Sequence, residues 1–310
     1  MRIPRLLIPI LASAIPLAAA SAATAASCIT VGVYQDNPAR GLPALRKRTG
    51  PGVGAISTYL TAGQPLDGAL ITTANRYHAR LLVTWQPDSG ADGANQPKYR
   101  LTNVIKGRYD ASIRALVGQL TNVRQGAVLR PMPEMNTPWY AWSGTVNGNT
   151  PARYVAAWKH VRGVVRRARN GNRIALMWAP YTQSIPATGA NQIGDYFPGG
   201  SQVDLVGVSG YNFGATASLS WSDPGTLFSG VYSTIEAMAA KPFWIAETGS
   251  TPTGGDKAGW IRSLASLRAT SMPRLAGVLW YDVSDPDGDF AIHGRAVTSA
   301  FRTLLGEACR

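Results

Sequence analysis

Eight short, apolar, β-prone runs recur along the chain, and longer helix-like stretches separate them. They cover residues 29–34, 53–59, 80–85, 127–130, 174–178, 205–208, 243–246 and 277–280. Their interiors are almost continuously apolar, as expected of strands covered on both faces. Strands that alternate with helices form a parallel sheet, and eight such units close on themselves. The expected fold is therefore α/β, a single (β/α)8 TIM barrel. Helices are expected at 111–120, at 151–169, where Thr150 is an N-cap and Pro151 the first helical residue, and at 257–268 after Asp256.

Residues 1–26 read as a secretory signal. Arg2 and Arg5 supply a positive start, residues 6–17 an apolar stretch broken by Pro9 and Pro16, and Ala23-Thr24-Ala25 a small-residue cleavage site. An uncleaved anchor, or a lipid on Cys28 behind a poor lipobox, are the alternatives. The expected product is one secreted, extracellular domain over residues 27–310, a monomer with no membrane contact once the signal is removed. Cys28 and Cys309 are the only cysteines. In an oxidising exterior they are expected to form a disulfide that makes the two ends neighbours, two free thiols being the alternative. The formal charge of +13 falls to +11 without Arg2 and Arg5. Because the basic residues are scattered, the charge is read as a surface property, with no nucleic-acid partner.

The chain holds only four glutamates, at 134, 236, 247 and 307. Glu134 and Glu247 each close an apolar run, and a loop follows each of them. In a barrel of this kind chemistry gathers at the C-terminal ends of the strands. Those ends also carry Tyr34, Tyr59, Trp85, Asn136, Tyr181, Tyr211 and Trp280-Tyr281-Asp282. Such a rim suits sugars, whose C–H faces stack on aromatic rings and whose hydroxyls need polar partners. Two carboxylates on separate strand ends are the parts of a glycoside hydrolase acting on a polysaccharide. Glu247 would be the nucleophile and Glu134 the acid/base, with no cofactor and no metal. The competing classes are a polysaccharide-binding protein without turnover and a basic nucleic-acid-binding or wall-adhering protein. His78, His160 and His293 fall at no strand end, which leaves a Ser-His-Asp triad or zinc site unsupported. Asp282, Asp285, Asp287 and Asp289 read as a surface loop, since a calcium loop would need a further glutamate.

The segment Arg130-Pro131-Met132-Pro133-Glu134-Met135-Asn136-Thr137-Pro138-Trp139-Tyr140-Ala141-Trp142 resembles the acid/base segment of glycoside hydrolase family 26, the β-mannanase family of clan A. Trp158-Lys159-His160-Val161, Tyr196-Phe197-Pro198-Gly199, Gly210-Tyr211-Asn212-Phe213-Gly214 and Ala246-Glu247-Thr248-Gly249-Ser250 continue the resemblance in order. It implies an endo-β-1,4-mannanase, or a β-1,3-1,4-glucanase or xylanase of the same family. It also implies that Tyr211 contacts the nucleophile, that Trp139 lines the cleft, that Arg130 is buried beside the pair and that Trp280 is the platform under the sugar. Asn136 and, by position alone, Trp85 complete the expected substrate-binding set. Two positions depart from the pattern. Pro133 stands where the family has histidine, and Ser209 where it often has aspartate; both concern sugar recognition rather than the carboxylate pair.

Overall fold

The computed structural model describes residues 28–91, 93–216 and 218–309; the signal expected over 1–26 lies outside them. Eight parallel strands close into a barrel in sequence order. They are β1 (Thr30–Tyr34), β2 (Ala55–Thr61), β3 (Arg80–Gln86), β4 (Ala127–Pro131), β5 (Ile174–Trp178), β6 (Leu205–Asn212), β7 (Phe243–Ser250) and β8 (Leu275–Tyr281). The seam joins β1 to β8, with Gly32 opposite Leu279 and Tyr34 opposite Tyr281. All eight expected strands are present, and β6 and β7 run four residues further than expected.

The helices are α1 (Pro38–Thr49), α2 (Gly68–Arg76), α3 (Leu101–Ile105), α4 (Asp110–Leu120), α5 (Pro151–Arg167), α6 (Pro224–Met238), α7 (Lys257–Thr270) and α8 (Arg295–Gly306). Thr150 caps α5 by accepting from the Arg153 amide, with Pro151 in the first turn where its missing N–H costs nothing. Asp256 precedes α7 without a capping bond and pairs with Arg262 instead. The β5–β6 crossover has no α-helix; two 3-10 turns, Ile193–Tyr196 and Gly200–Gln202, span it. A small hairpin, β9 (Ser284–Asp285) and β10 (Gly288–Asp289), follows β8 and contains three of the four clustered aspartates, Asp285, Asp287 and Asp289.

Two apolar layers hold the fold. One lies between strands and helices; the other fills the barrel with Ala55, Leu82, Val128, Met177, Leu205, Trp244, Ala246 and Leu279. Trp244 is large for that lumen, and the neighbouring strand makes room: a Cβ on its register partner Gly277 would come within 2.4 Å of its ring. Period-two alternation from these lumen residues fixes which later positions face the mouth. Tyr34, Tyr59, Arg130, Ser209, Tyr211 and Tyr281 share that parity; Trp85 and Trp280 do not. At the foot, the Ile29 amide donates to the Glu307 carbonyl and the Cys309 amide to the Ile29 carbonyl, and Cys28–Cys309 is a disulfide with 4.9 Å between Cα atoms.

Candidate active site

Alternation alone would turn Glu247 away from the lumen, because Trp244 and Ala246 already face it. A bulge changes this. Val208 pairs with Ile245 but Ser209 with Glu247, and the register against β8 slips between Ile245 and Thr248. The extra residue lets Ala246 and Glu247 both face inward, the re-aiming that bulges provide. Glu247 then meets two fixed donors. The Tyr211 hydroxyl donates to Oε1 at 2.6 Å, and Nη2 of Arg130 bonds Oε2. Arg130 is fully buried, and its other donors reach Thr84 Oγ1 at 2.9 Å, Ser209 Oγ at 3.3 Å and the Ala246 carbonyl at 3.4 Å. Burial opposes its charge, but Glu247 beside it holds the guanidinium firmly protonated.

Glu134 follows β4 in a strained turn. Met132 and Glu134 have φ of 51° and 56°, a region that costs an L residue roughly 1–2 kcal/mol. The turn is held from several sides. The Glu134 amide donates to the Ala179 carbonyl at 2.8 Å, Thr137 donates its hydroxyl to the Glu134 carbonyl, and Trp142 Nε1 donates to the Pro133 carbonyl at 2.7 Å. The Glu134 carboxyl is 4 % exposed and accepts from the Tyr140 hydroxyl at 3.4 Å. Burial, and then the charge of Glu247, push its pKa up to about 7, against the pull of Arg130, Ser209 and Tyr140. The two glutamates therefore share one electrostatic site with different environments. One is clamped by a cation, the other buried and apt to hold a proton.

Aromatic rings surround the pair. Tyr34 stacks on Tyr281 at 5.0 Å and meets Tyr59 edge-on at 4.9 Å, while Tyr211 meets Tyr281 edge-on at 5.9 Å. Phe290, from the loop after β8, closes on Tyr211 and Tyr281. These form a wall on the Glu247 side, and the Glu247 charge raises the pKa of the buried Tyr59 after desolvation. On the Glu134 side, Trp139 is 43 % exposed and stands edge-on to Tyr181 at 4.9 Å. A cavity of about 300 Å³ opens beyond Tyr34, lined among others by Gln35, Asp36, Arg40, Thr58 and Asp67.

Four expected substrate contacts are corrected. Trp280 is fully buried, packs on Trp260 of α7 and Phe301 of α8, and donates to the Phe290 carbonyl. It faces the helical layer, and its neighbour Tyr281 faces the mouth. Trp85 has the same outward parity and packs on Tyr109. Asn136 is buried, with its amide spent on the Tyr181 and Gln183 carbonyls and its oxygen on the Tyr181 amide, so it ties the loops after β4 and β5 together. Arg130 is buried beside the pair, as the resemblance implied, but with no exposed surface it is a floor residue beneath Glu247 rather than a sugar contact. Trp139 and Tyr211 do stand at the mouth. Tyr34, Tyr59 and Tyr281 are strand-end rim residues to which the sequence assigns no role; strand parity is the signal that singles them out. The histidines lie elsewhere, His160 on Asp110, His293 on Asp289 and His78 near Gln125.

Residues 92–239, which carry the Glu134 turn, the loops after β4 and β5 and the Tyr211 strand, match the model of glycosyl hydrolase family 26. Over that stretch the chain resembles the family. The chain is 27 % identical over 231 residues to "Endoglucanase H" of Acetivibrio thermocellus, covering 73 % of this chain and 24 % of the relative. It is 26 % identical over 156 residues to "Beta-1,3-xylanase TXYA" of a Vibrio species, covering 50 % of this chain and 29 % of that protein. The chain thus spans about a quarter of the length of these curated relatives. Its fold matches the catalytic domain of the Bacillus sp. JAMB-750 endo-β-1,4-mannanase with a TM-score of 0.65 at 14 % identity, over 92 % of this chain and 85 % of that one. That likeness is one of fold, a closed eight-stranded barrel.

Proposed function

We propose that the chain is a member of glycoside hydrolase family 26 and a secreted, endo-acting, retaining β-glycanase, exported by residues 1–26 and catalytic over 27–310. The observation that carries this reading is the asymmetry of the carboxylates. Glu247 is clamped by Arg130 and Tyr211, and Glu134, buried beside it, is pushed up to about 7. Glu247 attacks the anomeric carbon while Glu134 gives its proton to the departing glycosidic oxygen. The covalent intermediate makes Glu247 a neutral ester, which removes the second cause of the raised Glu134 pKa. Glu134 is then left as a carboxylate able to take a proton from the attacking water. Arg130 and Tyr211 hold Glu247 in line, and the tyrosine wall offers C–H/π contact and hydroxyl donors to the sugar at the cleavage point.

β-1,4-Mannan is the first backbone to test, following the family resemblance. A second reading, β-1,3-xylan or a β-glucan, is favoured by Pro133, which offers a sugar hydroxyl no side-chain donor, and by the sequence relatives named above. Incubating the protein with mannan, glucomannan, lichenan, xylan and curdlan, and following reducing ends and the anomeric configuration of fresh product by NMR, tests both. Retained configuration on one of these glycans, lost in E247A, is the expected result. Inverted product, or full activity in E247A, overturns the reading.

A further inference from the structure

The ionised side chains of this barrel are sorted by end. Helices around the barrel run opposite to the strands, so each helix that leads into the next strand ends at the foot, away from the mouth. The last turns of α1, α2 and α5 carry Arg46, Lys47, Arg48, Arg76, Arg166 and Arg167. Cations at helix C-termini are favoured by the backbone dipole, which explains part of this. It does not explain the foot's other exposed basic residues. Arg80 starts β3 and Arg124 sits in the turn before β4, both outside helix ends, and Arg173 closes the short 3-10 turn before β5. Among the described residues, the carboxylates placed at strand starts or helix ends are Asp204, Glu236 and Glu307. The first two are already engaged, with Arg166 and Arg274. At the mouth stand Asp36, Asp67, Asp223, Asp256 and the aspartates after β8.

Part of this basic face is a contiguous cluster around a hollow. Arg46 and Arg76 both lie over one ring, Tyr77, at 5.0 and 5.6 Å. The Arg124 amide donates to Asn75 Oδ1 at 2.8 Å, which sets that turn against the end of α2. Beside them a cavity of about 280 Å³ is lined by Arg80, His78, Gln125, Thr30 and the Gly52 and Gly54 backbone, with no carboxylate. The Cys28–Cys309 disulfide borders it, so this face belongs to a protein of an oxidising exterior. A nucleic acid would seek open aromatic faces for its bases, whereas Tyr77 is covered by its two arginines. Spaced single charges with a small polar hollow match a chain of charged sugars better.

We propose that the foot of the barrel is a docking surface for an acidic, uronate-bearing polysaccharide, which holds the enzyme by the face opposite its mouth. The cleft then remains open to a neutral substrate while the protein stays on the anionic polymer.

The test is retention of the purified protein on immobilised polygalacturonate, with neutral dextran as the blank, across 20–500 mM salt. R76E/R80E/R124E is expected to lose at least tenfold in affinity while its hydrolysis of a short soluble substrate and its melting temperature hold. R40E/R153E/R295E, the same charge change in first helical turns near the mouth, is expected to bind as the parent does. Equal loss in both triple variants would show a net-charge effect and overturn the proposal, as would unchanged binding in the first. Duplex DNA bound as tightly as polygalacturonate through the same three arginines would also overturn it. The readout is binding, so a failure of the glycanase reading leaves this result intact.

Discussion

The hydroxyl of Tyr211 donates to Oε1 of Glu247 at 2.6 Å, from a position paired with Gly249 one step beyond the bulge. Tyr211 faces the lumen by alternation along β6, whereas Glu247 meets it there only because β7 carries an extra residue. A hydrogen bond to a charged group contributes about 1.5–3 kcal/mol. Y211F is therefore expected to lower kcat about 10- to 100-fold on an accepted glycan, with a smaller change in KM. Steady-state kinetics on one soluble substrate checks this, and a wild-type kcat would show the bond to be ornamental.

Arg130 has no exposed surface and four acceptors. R130M keeps the volume and leaves Glu247 without its cation. Breaking one side of a buried pair costs about 3–5 kcal/mol. Urea unfolding at neutral pH should show a loss of this order, shrinking in the double variant R130M/E247Q.

Glu134 gives two pH signatures. As the proton donor, with a pKa of about 7, it should make kcat/KM fall as pH rises through neutrality. Its folded pKa lies above the ordinary carboxylate value of 4.5, so the stability it contributes is complete below 4.5 and is lost as pH rises to about 7. E134Q does not titrate. Its melting temperature should gain on the parent between pH 4.5 and 7 and hold that advantage above. Parallel melting curves from pH 4 to 8 would contradict the assigned burial.

The tryptophans should separate by face. W139A removes a 43 % exposed ring and is expected to raise KM on polysaccharide with little effect on melting. W280A empties a fully buried position between β8, α7 and α8, and should cost about 3–5 kcal/mol of stability. Denaturant titration beside kinetics on the two variants distinguishes the roles.

The count of strands, the Glu134 and Glu247 positions and the joined ends were legible because each depends on local composition or on residue number. Which way a strand-end side chain points was not. Trp280 and Tyr281 are adjacent, equally aromatic and equally terminal; only counting outward from lumen residues such as Gly277 and Leu279 separates them. Even that count fails on β7, where the bulge opposite Leu279 is set by pairing with two neighbouring strands rather than by any residue in Ile245–Thr248. Asn136 misled for a related reason. Its partners Tyr181 and Gln183 lie more than forty positions away, on a loop the β4 segment says nothing about.

The bond between Cys28 and Cys309, 281 positions apart, makes the described chain a covalent ring. A ring with its junction at the foot has no structurally privileged starting point. New ends opened in a foot loop, such as the Asn122–Gln125 turn, with the old ones fused, would leave every strand pairing and the whole mouth in place. The same geometry lets a cargo or support be attached beside the junction with the cleft pointing away from it.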